Sequence, residues 1–315
     1  MSRGLARFLL PLTCACVFAG ALGASTAAAS VQIGISDNDS AMFSNPYFQS
    51  LNLTIARDMV PWNAAVMHNK SALHEAEAWV NAAESDGVQP MITFTADQGN
   101  AGNYIPSTSV YTAAIKAFLH DVPSVKDYSA WNEPDWVYRP GIAKHPKVAA
   151  SYFNALIRWC HHCTVVAGEV YLPASQLGPW VRSYEHYLDA RPKAWALHNY
   201  YDVRTHTTSQ LKALERVIPR GSQIWLTEIS GVIRRGHWQF RNQSPQAAAR
   251  DEKFLFSLPS KFHNVTRIYH YQWQGTVDTP STGWDSGLLG PKGVPRPAYW
   301  VLAKAVGPRH GTRRR

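Results

Sequence analysis

From residue 31 almost to the C-terminus, short apolar runs alternate with amphipathic stretches. Eight runs read as strands, starting near residues 31, 53, 89, 127, 164, 195, 223 and 267, with the text VQIGIS, LTIARDMV, QPMITFTA, DYSAWNE, TVVAGEV, WALHNYY, QIWLTEI and RIYHYQW. Consecutive starts lie 22 to 44 residues apart. Each interval has room for a strand, a crossover helix and two loops.

Helical patterns fill the gaps. Residues 71–86 carry Leu73, Trp79, Val80 and Ala83 on one stripe, and Gly87 ends it. Residues 109–122, 147–160, 176–190 and 208–218 read the same way, Ser244-Pro245 opens another helix as N-cap and first-turn proline, and 297–306 closes the series. Strands alternating with helices specify an α/β protein with a parallel sheet, and eight of them point to a closed (β/α)8 TIM barrel over an open sheet. Ser36-Asp37-Asn38-Asp39 follows the first strand, where a dinucleotide-binding fold would carry its glycine-rich turn. No linker divides the chain, so residues 30–307 read as a single catalytic-size domain.

Residues 1–29 are a separate object. Arg3 and Arg7 precede an apolar run from Phe8 to Leu22, and small residues follow through Ala29. That is the layout of a secretory signal peptide, and the run is short for a membrane span. Export changes the charge. The formal +9 of the whole chain falls to +7 without Arg3 and Arg7, and to about +3 without the four Arg of the basic tail, 308–315. No basic stripe is visible elsewhere, which argues against a nucleic-acid partner. Of four Cys, Cys160 and Cys163 remain after cleavage, in the run Cys160-His161-His162-Cys163. Outside the cell a local disulfide is favoured, with free thiols or a metal as alternatives.

In a (β/α)8 barrel the chemistry sits at the C-terminal ends of the strands. Strand two ends in Arg57 and Asp58, strand four in Trp131-Asn132-Glu133-Pro134, strand six in His198, Tyr200 and Tyr201, strand seven in Leu226-Thr227-Glu228, and strand eight in Tyr271 and Trp273. Two carboxylic acids converge there with an Arg, a His, a Tyr, an amide and several Trp. Glycoside hydrolysis needs one carboxyl group to protonate the leaving oxygen and another to attack or stabilise the sugar carbon. Trp faces offer flat apolar surfaces to sugar C–H groups.

WNEP at 131–134 resembles the acid/base motif of the clan A retaining glycoside hydrolases, and LTEIS at 226–230 resembles their nucleophile strand. Families 5 and 39 are typical of these barrels, whose acids lie on strands four and seven. His198-Asn199-Tyr200 resembles the clan's strand-six motif, Arg57 its strand-two Arg, and Trp273 its strand-eight Trp. The resemblance implies Glu133 as acid/base, Glu228 as nucleophile, and Arg57, Asn132, His198, Tyr200 and Trp273 as substrate-binding residues. With the leader read as an export signal, the expectation is a secreted monomer acting on β-linked oligo- or polysaccharide without cofactor or metal. One departure stands out: Phe94-Thr95-Ala96-Asp97-Gln98 occupies the end of strand three, where some clan members carry His.

Other readings stay open. Glu169 suits a subsite or a structural role equally. Trp62, Trp136, Trp238 and Trp284 fall in loops at the mouth, as sugar contacts or as packing. The competing function is a glycan-binding barrel without turnover.

Overall fold

A computed structural model describes Met1 and residues 31–68, 70–97, 104–136, 142–235, 243–276 and 283–308. The expected leader, beyond Met1, and the tail after Pro308 lie outside these residues, as does Trp238. The strands are β1 Gln32–Ser36, β2 Ile55–Pro61, β3 Gln89–Thr95, β4 Asp127–Ser129, β5 Thr164–Val170, β6 Ala194–Leu197, β7 Gln223–Ile229, β8 Arg234–Arg235, β9 Val265–Tyr271 and β10 Trp284–Asp285. The α-helices are α1 Pro46–Gln49, α2 Ser71–Ser85, α3 Thr108–Asp121, α4 Pro146–Trp159, α5 Ala174–Glu185, α6 Tyr200–Thr205, α7 Ser209–Glu215, α8 Pro245–Leu255 and α9 Pro297–Val306. Strands β1 to β7 and β9 form a closed parallel barrel in sequence order, with β9 pairing back onto β1. Strands β8 and β10 make a separate two-stranded ribbon.

Every predicted strand falls within two residues of its observed start. The helical stripe of α2 buries Leu73, Ala76, Trp79, Val80 and Ala83, and Gly87 at φ 75° lets the chain turn back toward β3. Three elements carry no amphipathic pattern to predict them: the one-turn α1, α6 soon after β6, and the short ribbon β8–β10.

The barrel has two apolar layers. One lies between sheet and helices. The second, Ile55, Met91, Val166, Ala194, Ala196, Trp225 and Tyr269, fills the lower interior. Side chains on a strand return to one face every second residue. Two residues on from that layer stand Arg57, Thr93, Thr227 and Tyr271, so an apolar plug supports a polar floor. Gly34 belongs to the tight interior of β1, where an added Cβ would run into the Ile55 carbonyl.

Cys160 and Cys163 form a disulfide with Cα atoms 5.4 Å apart. It precedes β5, at the barrel end away from the expected chemistry. Among the described residues, no helix is long and apolar enough to cross a membrane.

Candidate active site

The short β4 ends at Ser129, so Trp131-Asn132-Glu133-Pro134 forms the loop that follows it. The Asn132 amide donates to the Phe94 carbonyl at 2.8 Å, which ties this loop to the end of β3. Glu133 has φ 45° and Glu169 φ 57°. Both are left-handed conformations that cost a non-glycine residue energy and cluster at functional sites.

Arg57 organises the floor. It is fully buried, and its guanidinium donates in every direction. Nε reaches Thr93 Oγ1 at 2.9 Å and Glu169 Oε1 at 3.1 Å, and Nη2 reaches Glu169 Oε2 at 3.1 Å and Asn132 Oδ1 at 2.7 Å. Nη1 reaches Ser36 Oγ at 2.7 Å and Glu228 Oε2 at 3.1 Å. From the second strand, one side chain thus reaches the ends of the first, third, fourth, fifth and seventh. A guanidinium fixed on both edges is a rigid donor array.

Glu228 accepts a second hydrogen bond, from the Tyr200 hydroxyl to Oε1 at 3.2 Å. Burial is the largest influence on Glu228 and raises its pKa, while the Arg57 charge pulls it down. The Tyr200 hydroxyl is pushed well above its ordinary range by burial, with Glu228 adding to the effect, so it stays a donor. Burial lowers His198, giving a neutral imidazole near pH 7. Its Nδ1 lies 3.0 Å from Glu133 Oε1 and its Nε2 lies 3.1 Å from Thr227 Oγ1. Either ring nitrogen can carry the proton, because the Thr227 hydroxyl donates or accepts as required.

Glu133, His198 and Glu228 each bring one ligand-type atom within 4.8 Å of the others, a spacing a metal ion could use. The chemistry of these atoms speaks against it. Both oxygens of Glu228 and both nitrogens of His198 already hold hydrogen-bond partners, and Arg57 places a fixed positive charge on the same carboxylate.

A cavity of about 760 Å³ opens above this floor, lined by Asn132, Glu133, Tyr200 and Glu228 among others. Arg57 and His198 hold its acids from below. Trp273 stands elsewhere, which corrects the expectation of a sugar-binding face there. It is 1% exposed, and its ring packs edge-on against Phe48 and Tyr299. The interior alternation ends at Tyr271. Beyond it the Trp273 backbone is bound on both sides, N–H to Asp37 Oδ2 at 2.7 Å and carbonyl to the Leu289 amide at 2.9 Å. The aromatic wall is made by Tyr271 and Trp284 instead, with Tyr171 and Trp136. Trp284 meets the Tyr200 ring edge-on at 4.9 Å. Trp62 is core, packed against Tyr104 and Tyr111. Glu169 is wholly buried and serves Arg57, which decides its open reading for the structural role.

Tyr271 was legible as the last inward residue of its strand. Tyr171 and Arg235 also line the cavity, and no sequence pattern singled them out, because loop geometry alone brings them there.

Similar solved structures are glycosidases of several families. A family 39 glycoside hydrolase from Bacteroides cellulosilyticus superposes with TM-score 0.64 at 16% identity, over 89% of this chain and 64% of that one. A xylanase 10B from Thermotoga petrophila in complex with xylobiose gives TM-score 0.64 at 15% identity, over 88% and 94%. An endo-β-1,3-glucanase from Amycolatopsis mediterranei in complex with laminaripentaose gives TM-score 0.57 at 15% identity, over 88% and 100%. At these identities the likeness concerns the fold. No curated protein sequence matches the chain. The family profile described as Glycosyl hydrolase catalytic core matches residues 100–300, and the chain belongs to that family.

Proposed function

We propose that the protein is an exported glycosidase that cleaves β-linked oligo- or polysaccharides with retention of configuration. The observation that carries this is the approach of Glu133 and Glu228, which each bring one carboxylate oxygen within 4.8 Å of the other across one cavity. Retention needs the two carboxyl groups about 5–5.5 Å apart, so that one attacks the sugar directly, whereas inversion needs about 6.5–9.5 Å to seat a water. The observed approach favours direct attack.

Glu228, held by Arg57 and Tyr200, is the nucleophile. Its oxygen forms a bond to the anomeric carbon as the bond to the leaving oxygen breaks. Glu133 donates its proton to that oxygen, then takes a proton from the water that releases the sugar from Glu228. Asn132, its carbonyl anchored on Arg57, turns its NH₂ group to the sugar hydroxyl beside the reacting carbon. His198 sets the orientation of Glu133 and shares its proton. Tyr271 and Trp284 supply the apolar faces.

The export reading rests on the tripartite pattern of residues 1–29, and sequencing the N-terminus of protein recovered from the culture medium tests it. The catalytic reading is tested by offering the purified protein a panel of chromogenic β-glycosides and polysaccharides and following the first product by NMR. A product that appears first in the β configuration supports it. Inverted first products, or glycan binding without turnover on the whole panel, overturn it in favour of another mechanism or a non-catalytic barrel.

A further inference from the structure

The cavity above Glu133 and Glu228 has a side branch of about 130 Å³. Tyr171, Tyr200, Arg235 and Trp284 line both spaces, and Tyr201 and Arg204 line the far end of the branch. Among the described residues, two guanidinium groups and no carboxylate line this branch. Asp202, which follows Tyr201, is buried and turned to other work. Its oxygens accept from Thr207, Ser209 and the amides of Gln210 and Leu211.

Arg235 is held in position. It sits on the ribbon β8–β10 directly opposite Trp284. Its guanidinium carbon lies 5.9 Å from the Trp284 ring centroid, and it shares the lining of both spaces with Tyr171. Arg204 lies 5.7 Å from the Tyr201 ring centroid. A guanidinium only donates, and its planar fork matches the paired oxygens of a carboxylate or sulfate. An anionic sugar entering beside Glu133 and Glu228 would meet repulsion, which a fixed cation on the adjoining wall offsets.

We propose that this branch is a subsite for an anionic substituent of the glycan, the carboxylate of a uronic acid or a sulfate ester, gripped by Arg235 with Arg204 behind it. The inference rests on the glycosidase reading for its place in a reaction, though the binding itself does not require turnover.

The test uses matched polymers: a uronate-bearing β-glycan and the same polymer after carboxyl reduction, then a sulfated β-glycan and its desulfated form. Affinity electrophoresis measures binding, and reducing-end release measures kcat/KM, for wild type, Arg235→Gln and Arg204→Gln. Hydrogen bonds to charged groups contribute about 1.5–3 kcal/mol, so wild type should favour the anionic member of one pair about ten- to hundredfold. That preference should shrink to threefold or less in Arg235→Gln and fall partway in Arg204→Gln, with thermal melts reporting folding. The exposed Arg204 supplies the reading if the Arg235 variant does not fold. Which pair shows the preference names the substituent. Equal binding and equal rates on both pairs overturn the inference, as does a preference that survives both substitutions, which would belong to bulk positive charge. Preferential binding without turnover on any polymer leaves the subsite standing and removes the catalytic reading instead.

Discussion

Arg57 and Glu169 face each other through two contacts of 3.1 Å, both side chains wholly buried, one on the second barrel strand and one on the fifth. Burying a charge pair is costly, and here the pair's use is orientation. With one edge locked on Glu169, the Arg57 guanidinium presents Nη1 to Glu228 and Nη2 to Asn132. Glu169→Gln leaves the Arg57 charge under-compensated in the core. Loss of one partner of a buried pair costs about 3–5 kcal/mol, and the neutral isostere should fall at the lower end in urea denaturation. In the folded fraction kcat should drop more than KM rises, because Glu228, the proposed nucleophile, loses its alignment. Unchanged stability and turnover would mean the pair is dispensable.

The two site glutamates should fail differently. Glu228→Gln removes the proposed attacking group and should abolish turnover of every substrate. Glu133→Gln removes only proton transfer, worth about 10²–10⁴ in rate. A dinitrophenyl glycoside, whose leaving group needs no proton, should still load the Glu133→Gln enzyme and accumulate a glycosyl-enzyme visible by mass spectrometry. Equal loss in both variants on that substrate would contradict the assignment.

Trp273 and Trp284 separate packing from recognition. Trp273→Ala opens the core between Phe48 and Tyr299 and should cost about 3–5 kcal/mol of stability. Trp284→Ala, at the cavity wall, should instead lower kcat/KM by a factor of about ten, with a smaller change in thermal midpoint. Calorimetry alongside kinetics on both variants distinguishes the two.

The acid limb of the pH profile should follow Glu228. A nucleophile must be ionised, and burial raises this carboxyl above its ordinary value. kcat/KM should therefore fall as pH drops through a value above that of an ordinary Glu. The Tyr200 hydroxyl bonds the ionised form, so Tyr200→Phe should move the limb to higher pH. A shift to lower pH, or none, would remove Tyr200 from this role.

Asp58 makes stability depend on pH as well. Burial pushes its carboxyl up to about 8 in the folded protein. The folded chain thus holds a proton that the unfolded chain releases near pH 4, and stability falls as pH rises from about 4 to about 8, then levels. Asp58→Asn should flatten that slope in denaturation curves taken at pH 5, 7 and 8.5. A slope as steep as that of wild type would place the proton elsewhere.

The eight strands were readable in the chain because each is a short apolar run between turn residues, and their count alone implied closure. Glu133 and Glu228 were readable because a barrel puts strand ends at one mouth, and local motifs mark those ends. Arg57, Asn132, His198 and Tyr200 followed by the same rule. What local order does not contain is the path of the chain after a strand ends. Trp273 is two residues past Tyr271, on the inward period, yet hydrogen bonds to Asp37 and Leu289 carry its backbone off the barrel and its ring into the core. Glu169 carried no mark of its service to Arg57, since that contact spans 112 residues. The aromatic and basic walls, Trp284, Tyr171 and Arg235, come together only in the folded molecule, where Arg235 pairs with Trp284 across the ribbon and lines one cavity with Tyr171. Periodicity and strand-end position depend on near neighbours and are written locally. Loop placement depends on contacts between distant segments and is decided when the barrel closes.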